Sequence, residues 1–188
     1  MADNTPYLII NPAADNYKLA KKLDKVLKSA KEIFGDFEYK YTEKIGDGIP
    51  YAKQAIKDGY KKLVAVGGDG TLNELINAAV KTDVVLGMVP GGSACDTHKT
   101  HGIPRNIERA FEIVNEGYYE RFPVGHAKGD SERYFVEMMN GAFVGESAAR
   151  LGDTYQWAHN EFTYAAVAAY ICIFKYKPAP VKITVDNK

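Results

Sequence analysis

The chain has 188 residues, 46% of them hydrophobic and 12% aromatic, which excludes a disordered segment and suits one large domain or one and a half. Lys plus Arg and Asp plus Glu both number 24, so bulk charge gives no support for nucleic acid as a partner. Two cysteines, Cys95 and Cys172, suit a reducing, cytoplasmic compartment; the start MADNTPYLII lacks signal-peptide features, and the most apolar run, Tyr164 to Phe174, is too short to cross a bilayer.

Tyr7 to Ile10 is a compact apolar strand that stops at Asn11-Pro12, where proline's missing N–H ends the ladder. Asn16 to Phe34 is predicted as an amphipathic helix, with Leu19, Leu23, Val26, Leu27, Ala30 and Phe34 on one face. Lys18, Lys21, Lys22, Lys25 and Lys28 lie around its other side; a solvated surface is the commoner reading of such a face, contact with anionic lipid the rarer. Phe37 to Thr42 alternates as a strand, and Ile49 to Tyr60 turns Ala52, Ala55 and Ile56 inward as a second helix. Leu63 to Val66 and Val84 to Val89 are unbroken apolar runs of the kind buried on both faces. Asn106 to Glu116 closes the series as a helix carrying Ile107, Ala110, Phe111 and Val114. Alternating strands and helices predict an α/β domain with a Rossmann-like parallel sheet over residues 1–120. After Gly117 the texture changes: Tyr118 to Gly125, Tyr134 to Met139 and Val181 to Val185 look like strands, Phe162 to Phe174 like a helix. Residues 121–188 are therefore expected to begin a second, β-rich domain.

The stretch around which the chain is organised is LVAVGGDGTLNE, from Leu63 to Glu74: a short strand, glycines at 67, 68 and 70, then a helix expected to open at Thr71. Unpaired N–H groups and the macrodipole make such a helix start attractive to phosphate, and glycines allow close backbone approach. The same residues also read as a turn with a Thr71–Glu74 capping box. The stretch is not a P-loop, and Asn73 replaces the third glycine of a dinucleotide fingerprint. Asp69 is out of place beside phosphate unless a cation intervenes or it faces a hydroxyl. Ligands of parallel sheets sit at the carboxyl ends of strands, and Asn11, Thr42, the glycine turn and the loop after Val89 all fall there. Asn11 reads equally as a plain turn residue. Cys95, His98 and His101 form a C-x2-H-x2-H run, but zinc needs four ligands and the sequence offers no fourth, so no metal ligand is assigned.

GGDGTLNE at 67–74 resembles the signature of the diacylglycerol kinase catalytic family, which includes sphingosine kinases and bacterial lipid kinases. The shorter GGDGT is shared with NAD kinases and is similar to a phosphofructokinase motif. The loop from Pro90 to Pro104 resembles the lipid-kinase stretch: Ser93 takes the hydroxyl position, Asp96 the acidic one, Lys99 an arginine's place, and Gly102-Ile103-Pro104 match outright. The resemblance implies an ATP-dependent, Mg²⁺-requiring lipid kinase acting on a lipid hydroxyl, cytoplasmic with peripheral membrane contact. It implies nucleotide contacts from Asn11, Thr42, Gly67, Gly68, Asp69, Gly70, Thr71, Leu72, Asn73, Glu74 and Ser93, with Asp96 in support. Asp69 is the implied catalytic residue, accepting the hydroxyl proton or ordering the metal's outer shell. A sandwich-type second domain is also implied, truncated here at Lys188, with the base and magnesium ligands of relatives expected beyond it. Three departures oppose activity: Ala13-Ala14-Asp15 lacks the family's glycine, Cys95 stands for its asparagine, and Pro123 stands for an aspartate. The alternatives are an NAD kinase-like enzyme and a nucleotide-binding protein of this fold without catalysis.

Overall fold

Residues of a strand alternate between the two faces of a sheet, and where helices cover both faces both sets of side chains are apolar. β1 (Tyr7–Ile10), β3 (Lys62–Gly67) and β4 (Val85–Pro90) follow this rule. Leu8, Ile10, Val64, Val66 and Val89 pack with α2 (Leu23–Phe34) and α6 (Ile107–Glu116) through Val26, Ala30, Ala110 and Phe111. Ile9, Leu63, Ala65 and Met88 on the opposite face meet α3 (Gly48–Lys57) and α4 (Asp69–Ala79) through Ala52, Ala55, Leu72, Leu75 and Ile76. The result is three layers, helices on both sides of a sheet, as the sequence predicts. A computed structural model of the chain describes residues 5–92, 95–136 and 161–177. The chain divides into two compact units, 1–137 and 138–188.

The sheet is parallel throughout, in the order β2-β1-β3-β4, with β2 spanning Glu38–Tyr41. Chain direction across the sheet reverses between β1 and β3, where Ile10 lies beside Val66. That reversal opens a crevice at the carboxyl ends of these two strands, the usual ligand position in an open α/β sheet.

Two expected elements differ. The predicted helix from Asn16 is interrupted: Asp15, Asn16 and Tyr17 have φ of 51°, 54° and 63°, within the one-turn element α1 (Ala14–Tyr17). A 3₁₀ turn, Ala20–Lys22, follows, and α2 starts only at Leu23. Asp and Asn are among the few non-glycine residues that enter the left-handed region, and the 3₁₀ turn keeps Leu19 and Leu23 inward, so the apolar spacing hides the break. The strand expected over Tyr118 to Gly125 is also absent. Pro123 has no N–H to give a ladder, and pairing begins after it, between β5 (Gly125–Lys128) and the antiparallel β6 (Glu132–Phe135). α7 (Glu161–Phe174) occupies the position expected for the late helix. The strand expected at Val181 to Val185 lies outside the described residues.

Tyr134 and Val136 pack against the α4 side of the core, and the Asn77 side chain adds hydrogen bonds between α4 and the β5–β6 hairpin. Asn77 Nδ2 donates to the Tyr134 carbonyl at 2.9 Å, and Asn77 Oδ1 accepts from the Tyr134 N–H at 2.9 Å. The amide thus imitates a backbone partner for a residue of an otherwise two-stranded sheet. Asn77→Ala removes both bonds at a cost of about 1–3 kcal/mol. Hydrogen exchange should show the Tyr134 amide losing protection while the amides of Leu63 to Val66 stay slow; an unchanged Tyr134 amide would contradict this anchoring role.

Candidate functional site: a glycine turn flanked by two tethered loops

β3 ends at Gly67 and α4 begins at Asp69, two residues earlier than the sequence suggests, with Gly68 extended at the cap position. Thr71 is therefore the third helical residue. Its Oγ1 lies 3.4 Å from the donating Asn11 Nδ2, and Asn11 Oδ1 accepts the Ala13 N–H at 3.1 Å. Asn11 is both a turn residue and a bridge to α4. No capping box forms between Thr71 and Glu74, because the Glu74 carboxylate turns to Gly46 and Gly48 instead.

The glycines of the turn have separate reasons. A Cβ at Gly67 would collide with the Thr71 hydroxyl. A Cβ at Gly92 would stand 2.7 Å from the Gly68 Cα, so the two loops touch backbone to backbone. The Gly67 carbonyl binds them together, accepting from Gly91 N at 2.7 Å, Gly92 N at 3.2 Å and Cys95 Sγ at 3.5 Å. Gly70 is different: its φ is not positive, and an added Cβ would meet nothing within 4 Å.

Asp69 does not face an empty turn. Its Oδ2 accepts the Asp96 N–H at 2.9 Å and its Oδ1 the Thr97 N–H at 3.0 Å, so it caps the N-terminus of α5 (Asp96–Thr100). Partial burial raises the Asp69 carboxyl, but hydrogen bonds from Thr97 and Asp96 outweigh it and hold the group below the usual carboxylate value. Asp96 is itself paired with Lys99, Oδ1 to Nζ at 2.8 Å. Cys95 precedes α5 in the left-handed region, φ 52°, and burial pushes its thiol up. His98 Nδ1 lies 2.8 Å from the Ile103 carbonyl, and Nε2 receives Arg105 Nε at 3.1 Å, which assigns the neutral Nδ1–H tautomer. Arg105 also donates to the Gly92 carbonyl at 3.3 Å. Cys95 and His98 thus point at different backbone carbonyls.

The remaining predicted residues are spread around this centre. Thr42 follows β2, its N–H bonded to the Ile10 carbonyl at 2.9 Å. Leu72 is buried in the core, and Asn73 Oδ1 accepts Asn77 Nδ2 at 2.6 Å. Ser93 lies outside the described residues. No sequence pattern marks Arg105 or Asp47, whose Oδ2 accepts the N–H groups of Glu43 and Lys44 at 2.9 and 3.0 Å.

A parallel doubly wound sheet with a glycine turn opening a helix at its switch point defines the general class of α/β domains that take ligands at strand carboxyl ends. Residues 5–127 match the family model described as the diacylglycerol kinase catalytic domain, and the chain belongs to that family. It is 32% identical over 137 residues to a diacylglycerol kinase of Staphylococcus aureus strain MRSA252, covering 71% of this chain and 42% of that one. The corresponding Staphylococcus saprophyticus protein is also 32% identical over 137 residues, with 71% and 44% covered. The crystal structure of a diacylglycerol kinase from Bacillus anthracis superimposes with a TM-score of 0.58 at 28% identity, over 70% of this chain and 45% of that one. The chain spans less than half the length of these relatives.

Because the Asp69 carboxyl is held low in the folded chain, its contribution is fully present above the unfolded value of about 3.9 and is lost as pH falls through the folded value. Asp69→Asn faces an amide against one of the two N–H groups and should cost about 1–2 kcal/mol at pH 7, a few degrees in Tm. The gap between parent and variant should narrow below about pH 4. A gap that is equal at pH 3 and pH 7 would assign the loss to something other than these bonds.

Proposed function

We propose that this chain holds ATP with its phosphates against the first turn of α4, as part of an enzyme that transfers the γ-phosphoryl group to a lipid hydroxyl. The observation that carries the reading is Gly70. Glycine within a helix is less stable than alanine by roughly 0.5–1 kcal/mol, and nothing in the described chain forbids a Cβ there. No described residue fills the space in front of it, which lies beside helix N–H groups that lack helical partners. A residue unfavourable to the fold and unneeded for packing fits a surface that a ligand must approach. The family, and the relatives named as diacylglycerol kinases, support phosphate as that ligand and a lipid as the acceptor.

Phosphoryl transfer requires little covalent work from the protein; it requires phosphates held, charge offset and the attacking hydroxyl aligned. Gly67, Gly68 and Gly70 bring the backbone to the phosphates, and Thr71 is fixed by Asn11. Asp69 enters this reading as a positioning residue. A carboxylate lowered by two backbone N–H groups is a weak base, and its bonds set Asp96 and Thr97 beside the turn. Mg²⁺ supplies charge neutralisation between phosphates when bound. Asp69 and Asp96 are already engaged, and no group of three or more His, Cys, Asp or Glu among the described residues is placed to hold a metal, so Mg²⁺ is read as arriving with the nucleotide. No helix among the described residues is long and apolar enough to cross a membrane; the lipid acceptor implied by the family is read as met at the bilayer surface. Lys18, Lys25 and Lys28 are paired with Asp15, Glu108 and Glu32, which leaves less of the basic face for anionic lipid than the sequence suggests.

Gly70→Ala separates fold from function. Its Tm should stay or rise slightly, while ATP affinity measured by calorimetry should fall by roughly tenfold or more. Labelled ATP with diacylglycerol in one reaction and NAD in another distinguishes the lipid-kinase reading from an NAD kinase-like one. Unchanged ATP affinity in Gly70→Ala would remove the main support for phosphate at this turn.

A further inference from the structure

We infer that Glu74 is a positioning residue for the nucleoside half of the bound nucleotide, acting through the loop from Thr42 to Gly48 and not by touching the ligand. The inference rests on the nucleotide-binding reading above. Glu74 lies five residues after Asp69 on α4, which at 3.6 residues per turn places the two side chains about 140° apart around the axis. Asp69 reaches α5 on the β4 side. Glu74 reaches the other way: Oε1 accepts the Gly46 N–H at 2.8 Å and Oε2 the Gly48 N–H at 2.7 Å. Gly48 is the first residue of α3, so its N–H has no helical partner, and the carboxylate supplies one through a charge-assisted bond.

The loop is built around this clamp. A Cβ at Gly48 would stand 2.5 Å from Glu74 Oε2, so only glycine lets the carboxylate come this close. Gly46 has φ +94°, a conformation side chains rarely adopt. Asp47 ties the same few residues internally through Glu43 and Lys44, and Thr42 is fixed to β1. Two glycines and two carboxylates hold one seven-residue segment, exposed at its tip and buried at Gly48, in a single shape.

The sheet says what that shape is for. Phosphates at the start of α4 leave a nucleoside two directions along the carboxyl edge. The β4 side is narrowed among the described residues, because Gly91 and Gly92 donate to Gly67 and Gly92 packs on the Gly68 backbone. The β2 side leads over Asn11 to the Thr42–Gly48 loop, two strand spacings or about 10 Å away. Glu74 therefore sets the wall on which the nucleoside rests, and Asp69 the wall beside the phosphates.

The test compares ATP with inorganic tripolyphosphate, which has the phosphates and no nucleoside, by calorimetry on the 188-residue chain. Glu74→Gln places an amide N–H₂ against one of the two backbone N–H groups. It should weaken ATP roughly tenfold and leave tripolyphosphate within about twofold. Gly48→Ala, which keeps Glu74 but displaces its carboxylate, should give the same split if the Gln variant does not fold. Equal losses for both ligands, or no loss for either, would overturn the role assigned to Glu74 while leaving the nucleotide site standing. A parent chain that binds neither ligand would overturn the site and this inference together.

Discussion

The carboxyl edge of the sheet depends on two carboxylates of one helix, each accepting two backbone N–H groups from a neighbouring loop. Helix N-termini carry N–H groups with no partner inside the helix, and these are commonly satisfied by a local cap. Neither α3 nor α5 has a side-chain cap of its own. α4 provides both, Glu74 to α3 and Asp69 to α5. Three helix starts are thereby fixed to one another at the end of the sheet where β1 and β3 part. The strands beneath are buried on both faces and leave little room for adjustment, so loop positions on either side of α4 are set by a single rigid body.

Close backbone approach completes what the carboxylates begin. Gly67, Gly68, Gly91 and Gly92 bring the β3 and β4 loops into direct contact, with the Gly67 carbonyl taking two N–H groups and a thiol. A thiol is a weak donor, and Cys95 adopts a left-handed conformation for which asparagine is better suited. The family's asparagine at this position would serve both needs: an amide donor toward Gly67 and a side chain tolerant of that φ. The chain keeps the geometry with a poorer bond, while Asp69 carries the same junction from the other side.

The layered fold was legible because it rests on alternation and both-face burial, which are local patterns in Leu63 to Val66 and in Val85 to Val89. The left-handed turn at Asp15 to Tyr17 was not, since the apolar spacing of Leu19, Leu23 and Val26 runs through it undisturbed. The site was legible as a place and less so in its roles. Asp69 and Glu74 announced charge in a glycine turn, but their partners lie 27 and 28 residues away for Asp69 and 28 and 26 for Glu74, distances at which no periodicity or cap pattern points. Read alone, a carboxylate in such a turn suggests chemistry; set against the N–H groups of Asp96 and Thr97, it is first a tether. Pro123 carried a clear message in both senses, as a departure from the family's aspartate and as the reason pairing starts only at Gly125.

A negative side chain beside the phosphate site proposed here is self-defeating only until its direction is considered. The Asp69 carboxylate faces the N-terminus of α5 as well as sitting in the first turn of α4, and both ends carry partial positive charge. Its own charge is therefore spent on backbone N–H groups of the flanking loop, leaving the side of the α4 turn at Gly70 open. Replacing such a tether by an uncharged cap would weaken the junction, since charge-assisted bonds are about twice as strong as neutral ones. An anion that braces the cradle from behind is compatible with an anion held in front of it where the two draw mainly on different N–H groups: Asp96, Thr97 and its own N–H for the carboxylate, the later N–H groups of the first turn of α4 for the phosphates proposed here.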